Sequence, residues 1–301
     1  MGWSGSLTES SAVGSAITFT PDTTTAHGYT VGTFTAPKKG IYRFILKGSG
    51  GSYNGYHSDG VSSAGGTGGY TVGYLLLEAN QTVYIGAGGT CSAAFVSGET
   101  GAALKNIAKE KLYFVAGGGG GGGARWGFDD NKSGPGGNGG GTSGETAPNG
   151  YGGLGSGTGG SQTGGYAYGV GAPGGYGNDG ASYHRGDGGD GLYGGYAGAF
   201  SGGLAQGGGG GSGYIHTGSV TAGSKTYTNA TQQGGGAGSN TSGSVEVSYH
   251  ARAELPVIFN GTAIERLIFN GVEVESLIYD GVKLFMRSMV KRMRRWRACL
   301  S

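Results

Sequence analysis

Apolar and polar positions alternate in short bursts along the first third of the chain. The stretches SAITFTP, GYTVGTFTAP, GIYRFILKGSG, GYTVGYLLLEAN and TVYIGAGG are rich in β-branched and aromatic residues and end at Gly, Pro or Asn. That is the pattern of strands separated by turns. KLYFVAG, at 111–117, adds another strand. In GIYRFILK the apolar positions Ile41, Phe44 and Leu46 do not alternate strictly, which predicts a strand buried on much of both faces. GSVEVSYHA, at 243–251, sets Val245, Val247 and Tyr249 against Ser and Glu, as in a half-buried strand. Strands therefore flank a long glycine-rich tract on both sides. The pattern predicts an all-β chain, a β-sandwich spanning 1–253 into which the tract, about 117–244, is inserted.

Composition sharpens the question of what that tract is. The chain has 76 glycines in 301 residues, 52 of them between Gly117 and Ser244, and Gly117–Gly123 is unbroken glycine directly behind a strand. Ordering such a segment costs on the order of 25–50 kcal/mol more than ordering alanine, so its backbones must be densely hydrogen-bonded or left disordered. Tyrosines recur at 151, 166, 168, 176, 183, 193, 196 and 214, which a flexible linker has no use for. Glycine is not at every third position and the chain has only six prolines, which excludes collagen. The remaining candidate is a bundle of polyglycine II helices. Each is a three-fold extended rod with no internal hydrogen bonds and its backbone groups pointing outward. Neighbouring rods can pair those groups only where no side chain separates them.

From Val257 the pattern changes. VIFNGTAIER, LIFNGVEVES and LIYDGVKLF repeat a ten-residue unit built around Asn-Gly or Asp-Gly, the strongest short hairpin signal. They predict a small β-hairpin module over 254–285, too small to be stable alone. Residues 286–301, MRSMVKRMRRWRACLS, form a basic tail with six positive charges and no negative one, in a chain of net charge +2. Basic charge confined to a tail is unlike the basic folded face of a nucleic-acid binder, and no nucleic-acid partner is expected. No run is long and apolar enough to predict a membrane span.

Candidate chemistry is sparse. Five histidines and few acids give no Ser/His/Asp or paired-carboxylate spacing, and the many Gly-x-Gly-x-x-Gly matches open no helix. Neither an enzyme nor a cofactor is expected. GGYGNDGAS fits a calcium nonapeptide once and the next nine residues break it, so no metal is expected. The Arg185-Gly186-Asp187 tripeptide is a chance match in a chain this rich in glycine. Cys91 and Cys299 match no metal spacing and read as free thiols.

The most informative stretch is GGYAYGVGAPGGYGNDGASYHRGDGGDGLYGGYAGAF, at 164–200. It combines Tyr166, Tyr168, Tyr176, Tyr183, Tyr193 and Tyr196 with Asn178, Asp179, His184, Arg185, Asp187 and Asp190. Tyrosine set among Gly, Ser and Asn gives rigid contact area at low entropy cost, as in antibody binding loops. These twelve residues are the candidate receptor-binding set. The alternative is that the tyrosines only cap the edges of the glycine bundle.

The order of FTAPKKGIYRFILKGSGG, GGTGGYTVGYLLLEANQTVYIGAGG, LYFVAGGGGGGG and QGGGGGSGYIHT, spanning Tyr29 to Thr217, resembles the glycine-rich domain family. That family includes the extracellular domains of anaplastic lymphoma kinase and leukocyte tyrosine kinase and many bacterial and bacteriophage proteins. The resemblance implies a β-sandwich carrying inserted polyglycine helices. The cysteine framework, membrane span and kinase of the signalling members have no counterpart here, so their receptor role is not carried over. The FNG and YDG repeats look like C-terminal modules of phage and prophage tail proteins from gut bacteria. Together these resemblances imply a bacteriophage tail receptor-binding protein. It would be an adhesin on the virion, made in the host cytoplasm, that recognises a bacterial surface glycan or protein. Its other partners would be further tail proteins or copies of itself. The alternative is a non-catalytic structural component of a virion or bacterial cell surface.

Overall fold

The computed structural model describes residues 2–52, 64–125, 133–148, 155–176, 183–201, 204–223, 225–237, 241–252, 257–259, 262–264, 267–269 and 272–274. Eleven strands build the scaffold: β1 (Trp3–Ser4), β2 (Ala16–Phe19), β3 (Tyr29–Thr35), β4 (Gly40–Lys47), β5 (Gly68–Leu77), β6 (Thr82–Gly88), β7 (Ala94–Ser97), β8 (Leu112–Ala116), β9 (Tyr214–Ile215), β10 (Ala230–Ala237) and β11 (Ser244–Arg252). They form two antiparallel sheets, one in the order β1-β2-β11-β4-β5-β10 and the other in the order β9-β8-β7-β6-β3. Among the described residues the only helical turns are two three-residue 3-10 pieces, Leu104–Asn106 and Lys109–Lys111. No helix there is long and apolar enough to cross a membrane.

The inner faces of the two sheets meet in an aromatic core. Phe34 of β3 lies 5.3 Å from Tyr42 and 6.2 Å from Phe44, both on β4. Phe44 in turn lies 6.2 Å from Phe114 of β8. Tyr42, Phe44 and Phe114 are fully buried, and each such side chain contributes about 1.5–3 kcal/mol of burial. Glycines within strands make room for aromatic rings, in this core and in the separate cluster that holds Phe95. A Cβ on Gly73 of β5 would collide with the Phe114 ring, and one on Gly86 of β6 with the Phe95 ring.

β4 pairs with β5 without a shift, and the irregularity lies on its other neighbour. Tyr249 of β11 pairs with Tyr42 and Ala251 with Ile41, so the register shifts by one residue at His250. On β4 itself the side chains alternate: Tyr42, Phe44 and Leu46 join the core between the sheets, and Ile41 is buried on the opposite face.

The glycine tract follows a different rule. Successive amides of Gly118–Gly123 donate to Asp190, Ser49, Gly137, Asp187, Ser52 and Gly134. The partner segment therefore recurs every third residue. The Gly207–Gly211 run is enclosed on all sides. The carbonyls of Ala205 to Ser212 accept, in turn, from Gly134, Gly186, Gly157, Gly137, Gly189, Gly160, Gly140 and Leu192. The amides of Gly208, Gly209, Gly210 and Gly211 donate to Gly121, Tyr196, Glu145 and Gly118. Six neighbouring segments satisfy one run, and none of these bonds is internal to it. Glycine is required by the closeness of approach: a Cβ on Gly120 would overlap Gly208 O, and one on Gly208 would overlap Asp187 O.

These registers fix the path. Five segments lead away from the sandwich, at 48–52, 117–125, 144–148, 171–176 and 193–201. Five return, at 64–69, 133–140, 155–160, 183–192 and 204–213. Each outward segment is joined to its return through residues 53–63, 126–132, 149–154, 177–182 or 202–203, which lie outside the described residues.

Residues 254–301 separate from 1–253 as a second compact unit. Within it Val257–Phe259 pairs antiparallel with Thr262–Ile264, and Leu267–Phe269 with Val272–Val274. The third repeat and the basic tail lie outside the described residues.

Candidate functional site

Those of the twelve candidate receptor-binding residues that are described do not form one surface. Tyr166 and Tyr196 are the exposed pair, at 47% and 45% relative exposure. Their rings meet edge-on at 84° with centroids 6.1 Å apart. The Tyr196 hydroxyl donates to Gly165 O at 2.9 Å, which fixes the ring against the flank of the glycine segments.

Tyr168 and Tyr193 lie at the base, beside the sandwich. They stack edge-on at 6.0 Å and pack against a buried cluster containing Phe95, Leu104, Ile107, Leu112 and Leu192. The Tyr168 hydroxyl donates to Ile107 O at 2.7 Å, and burial pushes its phenol up to about 12. Lys109 Nζ sits 6.0 Å from the Tyr193 ring and 5.8 Å from that of Tyr214. Both tyrosines are half-buried, each with one side packed on this cluster.

Tyr176 and Tyr183 are at the end away from the sandwich. Gly175–Tyr176, Tyr183–Arg185 and Ala124–Arg125 make a three-stranded antiparallel ribbon. In it Tyr176 is registered with His184, and Tyr183 with Arg125. His184 and Arg185 are half-buried. Burial lowers the His184 pKa, with the Asp187 charge opposing and Arg185 reinforcing the shift. Asn178 and Asp179 lie outside the described residues.

The two described acids turn inward. Asp187 Oδ1 accepts from the Gly174 amide at 2.5 Å, and its Oδ2 is 3.4 Å from Ser52 Oγ. Asp190 is fully buried. Its Oδ1 accepts from His27 Nδ1 and from the Gly171 amide, both at 2.7 Å, and its Oδ2 from the Tyr29 hydroxyl at 2.8 Å. A carboxylate with no exposed surface and three internal donors cannot meet a receptor, so Asp190 leaves the candidate set.

This cluster at the junction of sandwich and glycine segments also gathers residues that sequence spacing did not single out. His27, in the connection between β2 and β3, has φ of 57°, a left-handed conformation uncommon for a residue with a side chain. Its Nε2 is buried without a hydrogen-bond partner and faces Asp187 Oδ1 at 4.0 Å. Burial works against protonation of His27, but the hydrogen bond and charge of Asp190 and the charge of Asp187 outweigh it, so its pKa is raised. Burial, then the Asp190 charge, holds the Tyr29 phenol well above its usual range. Burial likewise raises the Cys91 thiol, with Asp187 adding to the shift. The described cysteine is thus a buried free thiol, far from the low-pKa state that marks a nucleophile. One signal of the cluster was available in the sequence. In a segment whose partners repeat every three residues, Asp187 and Asp190 must face the same neighbour.

Among the described residues no group of three His, Cys, Asp or Glu is placed to hold a metal ion. Set against known proteins, the chain matches no family model and no curated sequence.

Proposed function

We propose that the glycine segments are a bundle of polyglycine II helices serving as a stiff mount, and that the protein is a bacteriophage or prophage tail adhesin. The bundle presents Tyr-bearing contact points to a bacterial surface glycan or protein. The observation that carries this reading is the three-residue recurrence of hydrogen-bond partners along Gly118–Gly123 and Ala205–Ser212. A three-fold rod with all its backbone groups directed outward gives that recurrence. A mount held by backbone bonds on every side leaves its far end and flank preorganised, which limits the entropy lost on binding. Several copies on one particle multiply weak contacts. The contact residues are Tyr176, Tyr183, His184 and Arg185 at the far end, with Tyr166 and Tyr196 on the flank. The hairpins of 257–274 and the basic tail serve attachment to other tail proteins or to copies of the chain.

The structural-component reading draws support from Tyr168, Tyr193, Asp187 and Asp190, whose polar atoms or ring edges are engaged within the molecule. Binding of labelled protein to a panel of gut bacterial strains separates the two. The adhesin reading expects strain-selective binding that a variant with Tyr166, Tyr176, Tyr183 and Tyr196 changed to Ser loses while it remains folded. Folded protein that binds no strain supports the structural role instead.

A further inference from the structure

Asp190 is the only buried charged side chain among the described residues, and it joins three pieces of chain. It sits on the returning segment 183–192. It is bound by Gly171 of an outward segment, by Tyr29 of β3 and by His27 of the β2–β3 connection. His27 and Asp190 are 163 residues apart in sequence, so this contact exists only when the glycine segments are seated on the sandwich.

The imidazole orientation makes the contact sensitive to a proton. With Nδ1–H given to Asp190, the opposite nitrogen points toward a second carboxylate, Asp187, 4.0 Å away. In the neutral ring that nitrogen carries a lone pair facing negative charge, which is repulsive. In the protonated ring it carries an N–H, and both carboxylates are attracted. The other groups around the ring are Lys105, whose charge disfavours the imidazolium, the Tyr29 phenol, and the Cys91 thiol near the two acids. Burial holds the phenol and the thiol in their neutral forms at neutral pH.

We propose that His27, Asp190 and Asp187 form a proton-operated latch that fastens the glycine segments to the sandwich, tight when His27 is protonated and loosened when it is neutral. The latch goes beyond the adhesin reading and does not depend on it. Its sign follows from linkage. The folded-state pKa of His27 is raised above its ordinary value of 6.5. Its stabilisation is therefore fully present below that ordinary value and is lost as pH rises through the higher folded one.

The test follows thermal unfolding of the full chain between about pH 5.5 and 8.5, the range in which histidine titrates, for wild type and His27→Gln. Gln keeps a hydrogen-bond donor for Asp190 but cannot titrate. The wild-type midpoint should fall as pH rises across the window, and the variant should lose that fall. Equal slopes in the two proteins would overturn the latch. The His27 imidazole titration, followed by NMR in the wild-type protein, needs no variant. A pKa above the ordinary histidine value is expected, and one at or below it overturns the proposal even if His27→Gln fails to fold.

Discussion

The two halves of 1–253 solve the same problem with opposite means. In the sandwich, order comes from side chains: Phe34, Tyr42, Phe44 and Phe114 fill the space between two sheets, and backbone pairing runs only along the ladders. In the glycine segments order comes chiefly from backbone, with one run hydrogen-bonded to six neighbours. Glycine serves both halves for different reasons. Gly73 and Gly86 leave space for a ring, whereas Gly120 and Gly208 leave space for another main chain. A ring can be trimmed, but a neighbouring backbone cannot give way without breaking its own hydrogen bonds.

That difference can be broken experimentally, starting where the effect is largest. Phe114→Ala empties the centre of the sandwich and should cost about 3–5 kcal/mol in denaturant unfolding. Gly120→Ala should cost about 3 kcal/mol, the upper end for overpacking, because its methyl meets Gly208 O, with Gly209 O at 2.8 Å. Gly73→Ala should cost about 1–3 kcal/mol alone. In the Phe114→Ala background it should cost less, with a coupling of about 0.5–3 kcal/mol. No side-chain truncation should relieve Gly120→Ala in the same way, since only backbone atoms surround its methyl. At the small end, Gly155→Ala and Gly164→Ala meet nothing within 4 Å and should stay within about 0.5 kcal/mol of wild type. Tyr166→Ser and Tyr196→Ser, on exposed rings, should likewise leave the unfolding midpoint nearly unchanged while reducing adhesion.

Much of the sandwich was legible because its strands carry their signal locally. The runs that became β2, β3, β4, β5, β6, β8 and β11 all show β-branched or aromatic residues bounded by turn formers. The strands that were not read lack that signal. β10 has the sequence ATQQGGGA and owes its existence to pairing with β5. β7 is four residues long and wholly buried, too short for a period to emerge. For the tract, composition narrowed the outcome to dense backbone hydrogen bonding or disorder, and the described segments take the first.

The candidate site was legible only as a roster of residues. Alternation says which side of a strand a residue takes, but placement within the glycine segments depends on how far along each outward or returning path it falls. Tyr166 and Tyr168 are two residues apart. One is exposed on the flank and the other is fastened to Ile107 O at the base. The His27–Asp190 contact had no local signal, because its partners come from different halves of the molecule.

The central claim is that the glycine tract is an ordered, backbone-bonded body and not a tether. Residue-resolved amide hydrogen exchange on the full chain tests it most directly. The account predicts that the amides of Gly118–Gly123 and Gly208–Gly211 exchange as slowly as those of β4 and β8. Exchange at the rate of an unstructured chain, with β4 and β8 still protected, would contradict it.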